Sequence, residues 1–451
     1  MAWQVDPSSG VNGTCTLRRS VLLLAFCWAG WVALPAQPQA PPVQQSTSFA
    51  DTLRHSQGKE LHIFYIHGIG SDGPDDFDSL ALRKSLCKFL KDCTTEAGTA
   101  IGEWDYANHD EFAPDAQAPD LHFIDEPVWK NQEEWRAAAP YSIHFQLVRR
   151  GGSTLYVDEL NWWPLTFSLK CRQIIASEAD LVGPNKVRIP VCSRRQPNAE
   201  VPLRFKSYDW IDKDAAARLL KKPSHGARLN RDLKSGLMDW GFSDAVMLLG
   251  PLRPYVLSGI RQLILKSLSD SAASKALAPD ERPRNEEFVI VSHSLGSYLM
   301  FAALDAHLSQ LQTSEINPSD KSFDQILART SFVFFFANQL RILQLAGLDG
   351  PSDRNLSTHL EAWGKTRCDY LKTIDPSHQC QLPRITALND PSDLLTWTVP
   401  SLSSVEVENY SVKNSAHWFW LIENPTPAHN RYANQRRGIQ KMLEEHPQNS
   451  R

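Results

Sequence analysis

Short runs of consecutive apolar residues recur along the chain, and four of them have the length of a buried β-strand. These runs lie at residues 61–66, 288–291, 331–337 and 384–388. Strands that are buried on both faces have continuous apolar sequences, as in a parallel sheet covered by helices. Apolar residues with helical spacing lie between the runs, for example at residues 75–90. The pattern predicts an α/β protein with a mostly parallel central sheet flanked by helices.

The middle of the chain has a looser pattern, and residues 102–236 read as a large insertion with many aromatic residues among charges and prolines. Within it, residues 141–148 alternate between apolar and polar, and residues 153–160 resemble a second strand. We therefore expect a hairpin or two adjacent edge strands inside this region. A helical pattern returns at residues 240–268, and residues 404–410 alternate like an edge strand.

The N-terminal segment has the layout of a secretory signal. Arg18 and Arg19 precede an apolar run at residues 20–34, which is followed by small residues and prolines. The run is shorter than the ~20 residues that a membrane-spanning helix needs. Residues 1–40 are therefore predicted to be a signal peptide that makes the protein secreted or periplasmic. An N-terminal anchor that attaches the protein to a membrane is the alternative.

Composition divides the rest of the chain into three parts. Residues 41–58 are rich in Pro, Gln and Ser and predict a flexible linker. Residues 59–443 contain all the predicted strands and form one domain, and residues 444–451 are a polar tail. The net charge is −4 and charges of both signs are mixed, so no nucleic-acid partner is expected.

Cysteine usage agrees with export. Beyond the leader, the cysteines fall into three pairs that are close in sequence, and an even number in an exported chain predicts disulfides. None has the C-x-x-C spacing of a zinc or thiol redox site. The simplest pairing joins Cys87 to Cys93, Cys171 to Cys192, and Cys368 to Cys380.

The apolar run at 288–291 ends abruptly in Ser-His-Ser-Leu-Gly and is followed by a helical apolar pattern at 298–304. A strand, a sharp turn and a helix are the context in which a G-x-S-x-G element presents a nucleophile. Ser294 is the candidate nucleophile, at a helix N-terminus whose dipole favours developing negative charge. Ser292 stands where a glycine is common, and we expect it to be tolerated because serine is small.

A carboxylate follows the predicted strand at 384–388, in the loop Asn-Asp-Pro-Ser-Asp-Leu-Leu. Asp393 is preferred as the acid because the apolar pair behind it could pack it against the domain. Asp390 is the alternative, although Asp-Pro-Ser is also a common turn sequence that an aspartate stabilises by local hydrogen bonds.

Two histidines follow the last predicted strand and are candidates for the general base. His429 lies in a loop just before a predicted helix and is the preferred base. His417 is the alternative, and its aromatic neighbours Trp418, Phe419 and Trp420 favour a packing role.

The loop after the first strand, His67-Gly68-Ile69-Gly70, has the composition of an oxyanion loop, since glycines let the backbone approach a substrate closely. The backbone N–H groups of Ile69 and Leu295 are the predicted oxyanion donors. A third glycine of a dinucleotide site is absent, and neither a cofactor nor a metal is predicted.

Together, these motifs resemble those of α/β-hydrolase-fold serine hydrolases of the lipase and esterase type. The chain order Ser294, Asp393, His429 is the order of that fold. The resemblance implies an α/β-hydrolase fold, an acyl-enzyme on Ser294 and carboxylic esters as substrates, either small molecules or lipids contacted at a membrane surface. It also implies that the insertion at 102–236 covers the site as a lid or cap, or adds strands. The alternatives are a phospholipase or thioesterase with the same residues, and a non-catalytic binding protein of the same fold.

Overall fold

The computed structural model describes separate segments of the chain, and the elements below belong to them. They are residues 48–55, 60–68, 79–91, 93–95, 99–101, 141–149, 154–166, 242–249, 253–269, 286–305, 326–341, 356–374, 376, 381–414, 417–418, 422–423, 428–429, 432 and 436–443.

A mixed, mostly parallel sheet of nine strands lies at the centre of the part that the structure describes. Its strands are β1 (Glu60–Ile66), β2 (Cys93–Thr95), β3 (Thr99–Ile101), β4 (Tyr141–Arg149), β5 (Thr154–Asn161), β6 (Glu286–His293), β7 (Thr330–Phe336), β8 (Arg384–Asn389) and β9 (Glu406–Ser411). The order is β2-β4-β5-β1-β6-β7-β8-β9, with β3 also paired to β4. Along this order, the six neighbouring strands β5, β1, β6, β7, β8 and β9 run parallel, as the apolar runs predict.

Helices cover both faces of this sheet. They are α1 (Phe49–His55), α2 (Leu80–Leu90), α3 (Ser243–Leu249), α4 (Arg253–Ser269), α5 (Leu295–Asp305), α6 (Leu356–Ile374) and α7 (Arg436–Leu443). A second, two-stranded sheet pairs β10 (His417–Trp418) with β11 (Ile422–Glu423). The described structure is therefore a three-layer α/β arrangement.

Successive residues of a strand point to opposite faces of the sheet, and this places two separate cores on its two sides. Phe64 and Ile66 of β1 pack on one side with residues of α4, α5 and α6. Ile63 and Tyr65 of the same strand pack on the other side with residues of α1, α2 and α7. The continuous apolar runs follow from this double burial, since neither face of the strand meets water.

The predicted hairpin is present, because β4 pairs with β5 in antiparallel register. The second strand of this hairpin also pairs in parallel with β1 and so belongs to the central sheet. The region between residues 102 and 236 therefore adds strands to the sheet, which is one of the two forms expected for it. Residues 102–140 and 167–236 lie outside the described residues.

The segment next to the predicted leader differs from the expectation. The prediction of a flexible linker over residues 41–58 is wrong for Phe49–His55, which form α1. Phe49 and Leu53 pack in the second core with residues of β7 and α7, and Ala50 is also buried. This apolar face outweighs the linker-like composition around it. Residues 1–40 lie outside the described residues. Within the described part of the chain, no helix is long and apolar enough to cross a membrane.

A disulfide joins Cys87 to Cys93, as predicted, and ties the end of α2 to β2. Cys368 on α6 is also disulfide-bonded. Its predicted partner Cys380 lies outside the described residues, as do Cys171 and Cys192.

Two helical glycines provide a matched test of how tightly the layers pack. A Cβ added at Gly364 of α6 would overlap the backbone carbonyl of Ser404, whereas one added at Gly259 of α4 would meet the side-chain end of Leu165 at 2.6 Å. Both substitutions gain the same helix propensity. We expect Gly364→Ala to lower the free energy of unfolding by about 1–3 kcal/mol in urea denaturation. Gly259→Ala should cost less, because a leucine side chain can rotate; an equal or larger loss would contradict this packing.

Candidate active site

Ser294 occupies a strained turn between β6 and α5. Its backbone φ is 54°, in the left-handed region that residues other than glycine rarely adopt. Its N–H donates to the carbonyl of Phe336 at the end of β7 at 2.8 Å, which holds the turn to the sheet edge. Strained positions of this kind persist only where the surrounding structure fixes them, and they concentrate at functional sites.

The turn has room only for small neighbours. A Cβ on Gly296 would lie 2.5 Å from the carbonyl oxygen of His67 and 2.8 Å from that of Ile66. A Cβ on Gly68 would overlap the side chain of Ser294. Ser292, in place of the more common glycine, is fully buried and donates its hydroxyl to the carbonyl of Phe334 at 3.4 Å. The loop after β1 and the turn after β6 are therefore in backbone contact at one edge of the sheet.

A continuous hydrogen-bond chain joins Ser294, His429 and Asp393. The Ser294 hydroxyl lies 2.8 Å from Nε2 of His429. The other ring nitrogen, Nδ1, lies 3.0 Å from each carboxylate oxygen of Asp393. Since the carboxylate can only accept, Nδ1 carries the proton and Nε2 is left to accept from the serine. All three side chains are buried, so the network lies away from competing water.

Asp393 is held by donors besides the imidazole. Its Oδ1 accepts the backbone N–H of Leu395 at 2.9 Å, and its Oδ2 accepts the hydroxyl of Tyr432 at 3.2 Å. Burial and the neighbouring Asp393 charge raise the pKa of Tyr432, so this hydroxyl stays protonated and donates. These bonds fix the rotamer of the carboxylate. No sequence motif marks Tyr432 as part of the site.

Asp390 has a different role in the same loop. Its Oδ1 accepts the N–H of Ser392 at 2.9 Å and its Oδ2 accepts the N–H of Asn414 at 2.5 Å. The side-chain amide of Asn414 in turn donates to the carbonyl of Ala428, the residue before His429. The structure thus brings Asp393 to the imidazole, while Asp390 stabilises the backbone next to His429.

The two candidate histidines lie in different places. His429 reaches Ser294, whereas His417 forms β10 and pairs with Glu423 of β11. Hydrogen bonds to backbone groups hold the segment of His429, since the carbonyls of His429 and Ala428 both accept from buried side chains.

His293, directly before Ser294, provides one of these hydrogen bonds, and sequence reasoning missed it. It is buried, and its Nε2 lies 2.9 Å from the carbonyl oxygen of His429. Burial, followed by the charge of the nearby His429, lowers the pKa of His293 to about 3. The ring is therefore neutral near pH 7 and its Nε2–H donates to that carbonyl. Its only sequence signal is its place inside the Ser-His-Ser motif.

Gln339 is a second residue that sequence reasoning missed. Its side-chain Nε2 donates to the Ser294 oxygen at 2.8 Å. The residue lies three positions beyond the end of β7 and is 4% exposed. Gln339 is 45 residues from Ser294 in the chain and belongs to no motif, so the sequence gives no sign of this contact.

The surroundings of the predicted oxyanion donors are partly described. Leu295 is the first residue of α5, so its backbone N–H has no acceptor within the helix. Gly68 lies directly against Ser294, and the preceding carbonyl of His67 accepts from the indole of Trp162 at 3.0 Å. Ile69 lies outside the described residues.

Within the described residues, no group of three or more His, Cys, Asp or Glu side chains is placed to hold a metal ion. Comparison with protein-family models, with curated proteins and with solved structures found no match to this chain.

The buried His293 makes stability depend on pH in a defined direction. Its folded pKa of about 3 lies below the ordinary value of about 6.5. Between these values the unfolded chain binds the proton and the folded chain does not, so the free energy of unfolding falls as pH falls, by at most about 1.4 kcal/mol per pH unit. We expect His293→Gln to reduce this slope in urea denaturation between pH 6.5 and 4.

The same denaturation series at pH 8 supplies the control. There His293 is neutral in both states, and any loss in the variant reports only altered packing and hydrogen bonding. An acid slope identical to that of the wild type would contradict the assignment of a buried neutral imidazole.

Proposed function

We propose that this protein is an α/β-hydrolase-fold serine hydrolase that cleaves carboxylic esters through an acyl-enzyme on Ser294. The observation that carries the proposal is the buried chain from the Ser294 hydroxyl to His429 and on to Asp393, at 2.8 and 3.0 Å. A nucleophile bonded to a base, which is itself oriented by a third group, is the geometry that activates a serine.

The topology supports the finer assignment of the fold. Ser294 follows the carboxyl end of the parallel strand β6, Asp393 follows that of β8, and His429 comes last in the chain. The α/β-hydrolase fold uses this order and this edge of the sheet. The left-handed φ of Ser294 also fits the strained turn of a nucleophile elbow.

In the acylation step, the Ser294 oxygen attacks the ester carbonyl carbon while its proton moves to Nε2 of His429. Asp393 stabilises the imidazolium that forms. The carbon–oxygen bond to the alcohol then breaks, and the leaving alkoxide takes the proton from Nε2. The oxyanion is bound by the N–H of Leu295 and by a donor of the loop after β1, for which Ile69 is the proposed residue.

Water reverses these steps in deacylation. His429 removes a proton from water, and the hydroxide attacks the acyl carbon. The bond to the Ser294 oxygen breaks, the serine recovers its proton from Nε2, and the carboxylic acid leaves. A thioesterase or phospholipase would use the same residues with another leaving group and remains the alternative within enzymes.

Two observations favour an enzyme over a non-catalytic binding protein of this fold. The backbone strain at Ser294 and the buried polar chain behind it both cost stability, and a purely structural turn requires neither. We also propose that the leader at residues 1–40 exports the chain. The disulfide between Cys87 and Cys93 supports an oxidising compartment.

Labelling with a fluorophosphonate probe tests the nucleophile and the base. The Ser294 oxygen attacks phosphorus and fluoride leaves, so the wild type should be labelled and Ser294→Ala should not. His429→Ala should slow labelling by about 10²–10⁴-fold, because no group accepts the serine proton. His417→Ala is the control and should label at nearly the wild-type rate. Label on Ser294→Ala, or none on the wild type, would refute the mechanism.

A pair of isosteric substitutions separates the two aspartates. Asp393→Asn should lower the labelling rate by about 10³–10⁴-fold, because an amide cannot hold the imidazole with Nδ1 protonated. Asp390→Asn should instead lower the free energy of unfolding by about 1–3 kcal/mol, since an NH₂ group would face a buried backbone N–H. A slower labelling rate in Asp390→Asn than in Asp393→Asn would overturn the choice of acid.

A further inference from the structure

The Ser294 oxygen has two hydrogen-bond partners, and the proposed mechanism uses only one of them. His429 Nε2 lies 2.8 Å away on one side, and the side-chain Nε2 of Gln339 lies 2.8 Å away as well. Ser294 and Gln339 are both buried, so solvent screens this second contact little.

The donors and acceptors of the two side chains give the contact between Gln339 and Ser294 a direction. A serine hydroxyl has one proton to donate and two lone pairs that accept. An amide nitrogen only donates, so Gln339 occupies one lone pair and the hydroxyl proton points to His429. The remaining lone pair is free to attack an acyl carbon. Gln339 thus selects the orientation of the hydroxyl in which attack and proton transfer occur together.

The loop that carries Gln339 is anchored on both sides. Ala337 has a φ of 53° and donates its N–H to the carbonyl of Leu388 at 3.2 Å. The carbonyl of Asn338 accepts the N–H of Trp397, and the Asn338 amide donates back to the carbonyl of Trp397. These bonds span from β7 to the loop after β8.

Gln339 is also tied to the first turn of α5. Its own N–H donates to the Ser297 hydroxyl at 3.4 Å, and that hydroxyl donates to the carbonyl of Ser294 at 2.6 Å. The amide is therefore positioned by the same turn that carries the nucleophile. Such a supporting shell is what holds a functional side chain in a productive geometry.

We infer that Gln339 is a catalytic residue, whose amide orients the Ser294 hydroxyl and stabilises the negative charge on its oxygen as the proton moves to His429. The inference rests on the proposed hydrolase function. In this step the remaining lone pair of the Ser294 oxygen forms the bond to the acyl carbon, and the π pair of the carbonyl moves onto the carbonyl oxygen. The oxygen–hydrogen bond of Ser294 breaks, its electron pair stays on the Ser294 oxygen, and the proton forms the Nε2–H bond of His429. The amide keeps its own protons and contributes only its dipole.

Two substitutions at Gln339 test this role by the second-order rate constant of fluorophosphonate labelling and by kcat and KM on a p-nitrophenyl ester. Gln339→Met keeps the length of the side chain and removes the donor. It should lower kcat and the labelling rate by about tenfold to a hundredfold, with KM nearly unchanged.

Gln339→Glu has a pH signature that a packing defect lacks. An ionised carboxylate accepts the Ser294 proton and competes with His429, whereas a protonated carboxyl again donates an O–H to the serine oxygen. The labelling rate of this variant relative to wild type should be lowest at pH 8 and rise as pH is lowered to 5. Gln146→Glu on β4, a half-buried position of the central sheet, is the matched control and should show a constant ratio.

Each outcome decides the inference. Wild-type rates in both Gln339 variants would overturn it, and so would equal losses at every pH. If Gln339→Met does not fold, as judged by its urea midpoint, the nearly isosteric Gln339→Glu still decides through its pH dependence. If the wild type is not labelled at Ser294, the proposed function fails and the inference fails with it. Normal labelling of the wild type and of the Gln339 variants overturns the inference alone.

Discussion

The parallel pairing of β1, β6, β7 and β8 is the constraint on which the candidate site depends. Parallel strands end at the same edge, so residues far apart in sequence emerge side by side. The ladder continues beyond the strand ends, because Ser294 donates to the carbonyl of Phe336 and Ala337 donates to that of Leu388. These bonds hold the turns after β6 and β7 in register. The contact between the Ser294 hydroxyl and Gln339 follows from that registration.

Buried polar bonds extend this order to the segment that carries His429. His293 donates to the backbone of His429, Tyr432 donates to Asp393, and Asp390 reaches Ala428 through Asn414. A buried polar group without a partner costs about 1–3 kcal/mol, so each bond favours one arrangement of the segment. The network therefore fixes the position of His429, as the sheet fixes that of Ser294. It also couples the geometry of the site to the stability of the fold.

Local patterns predict the mostly parallel α/β class of the fold, for a definable reason. A strand buried on both faces is apolar along most of its length. The apolar runs that form β1, β6, β7 and β8 can therefore be recognised from the sequence without any tertiary information. The hairpin of β4 and β5 can likewise be recognised, from the alternation of apolar and polar residues in β4. By contrast, α1 was missed because its short apolar face lies among Pro, Gln and Ser residues, and only its packing against Phe332 and Phe334 reveals it.

The sequence by itself determined the apolar strands of the sheet, the sharp turn at Ser294, and the loops in which Asp393 and His429 lie. Each of these depends on residues that are neighbours in the chain. Only the tertiary structure decided which aspartate meets the imidazole, and only it placed Gln339, Tyr432 and His293 around the site. Gln339 and Ser294 are 45 residues apart, and His293 and His429 are 136 apart. Contacts of this range are set by how strand ends meet in space, and a single polar residue leaves no periodic signal from which to infer them.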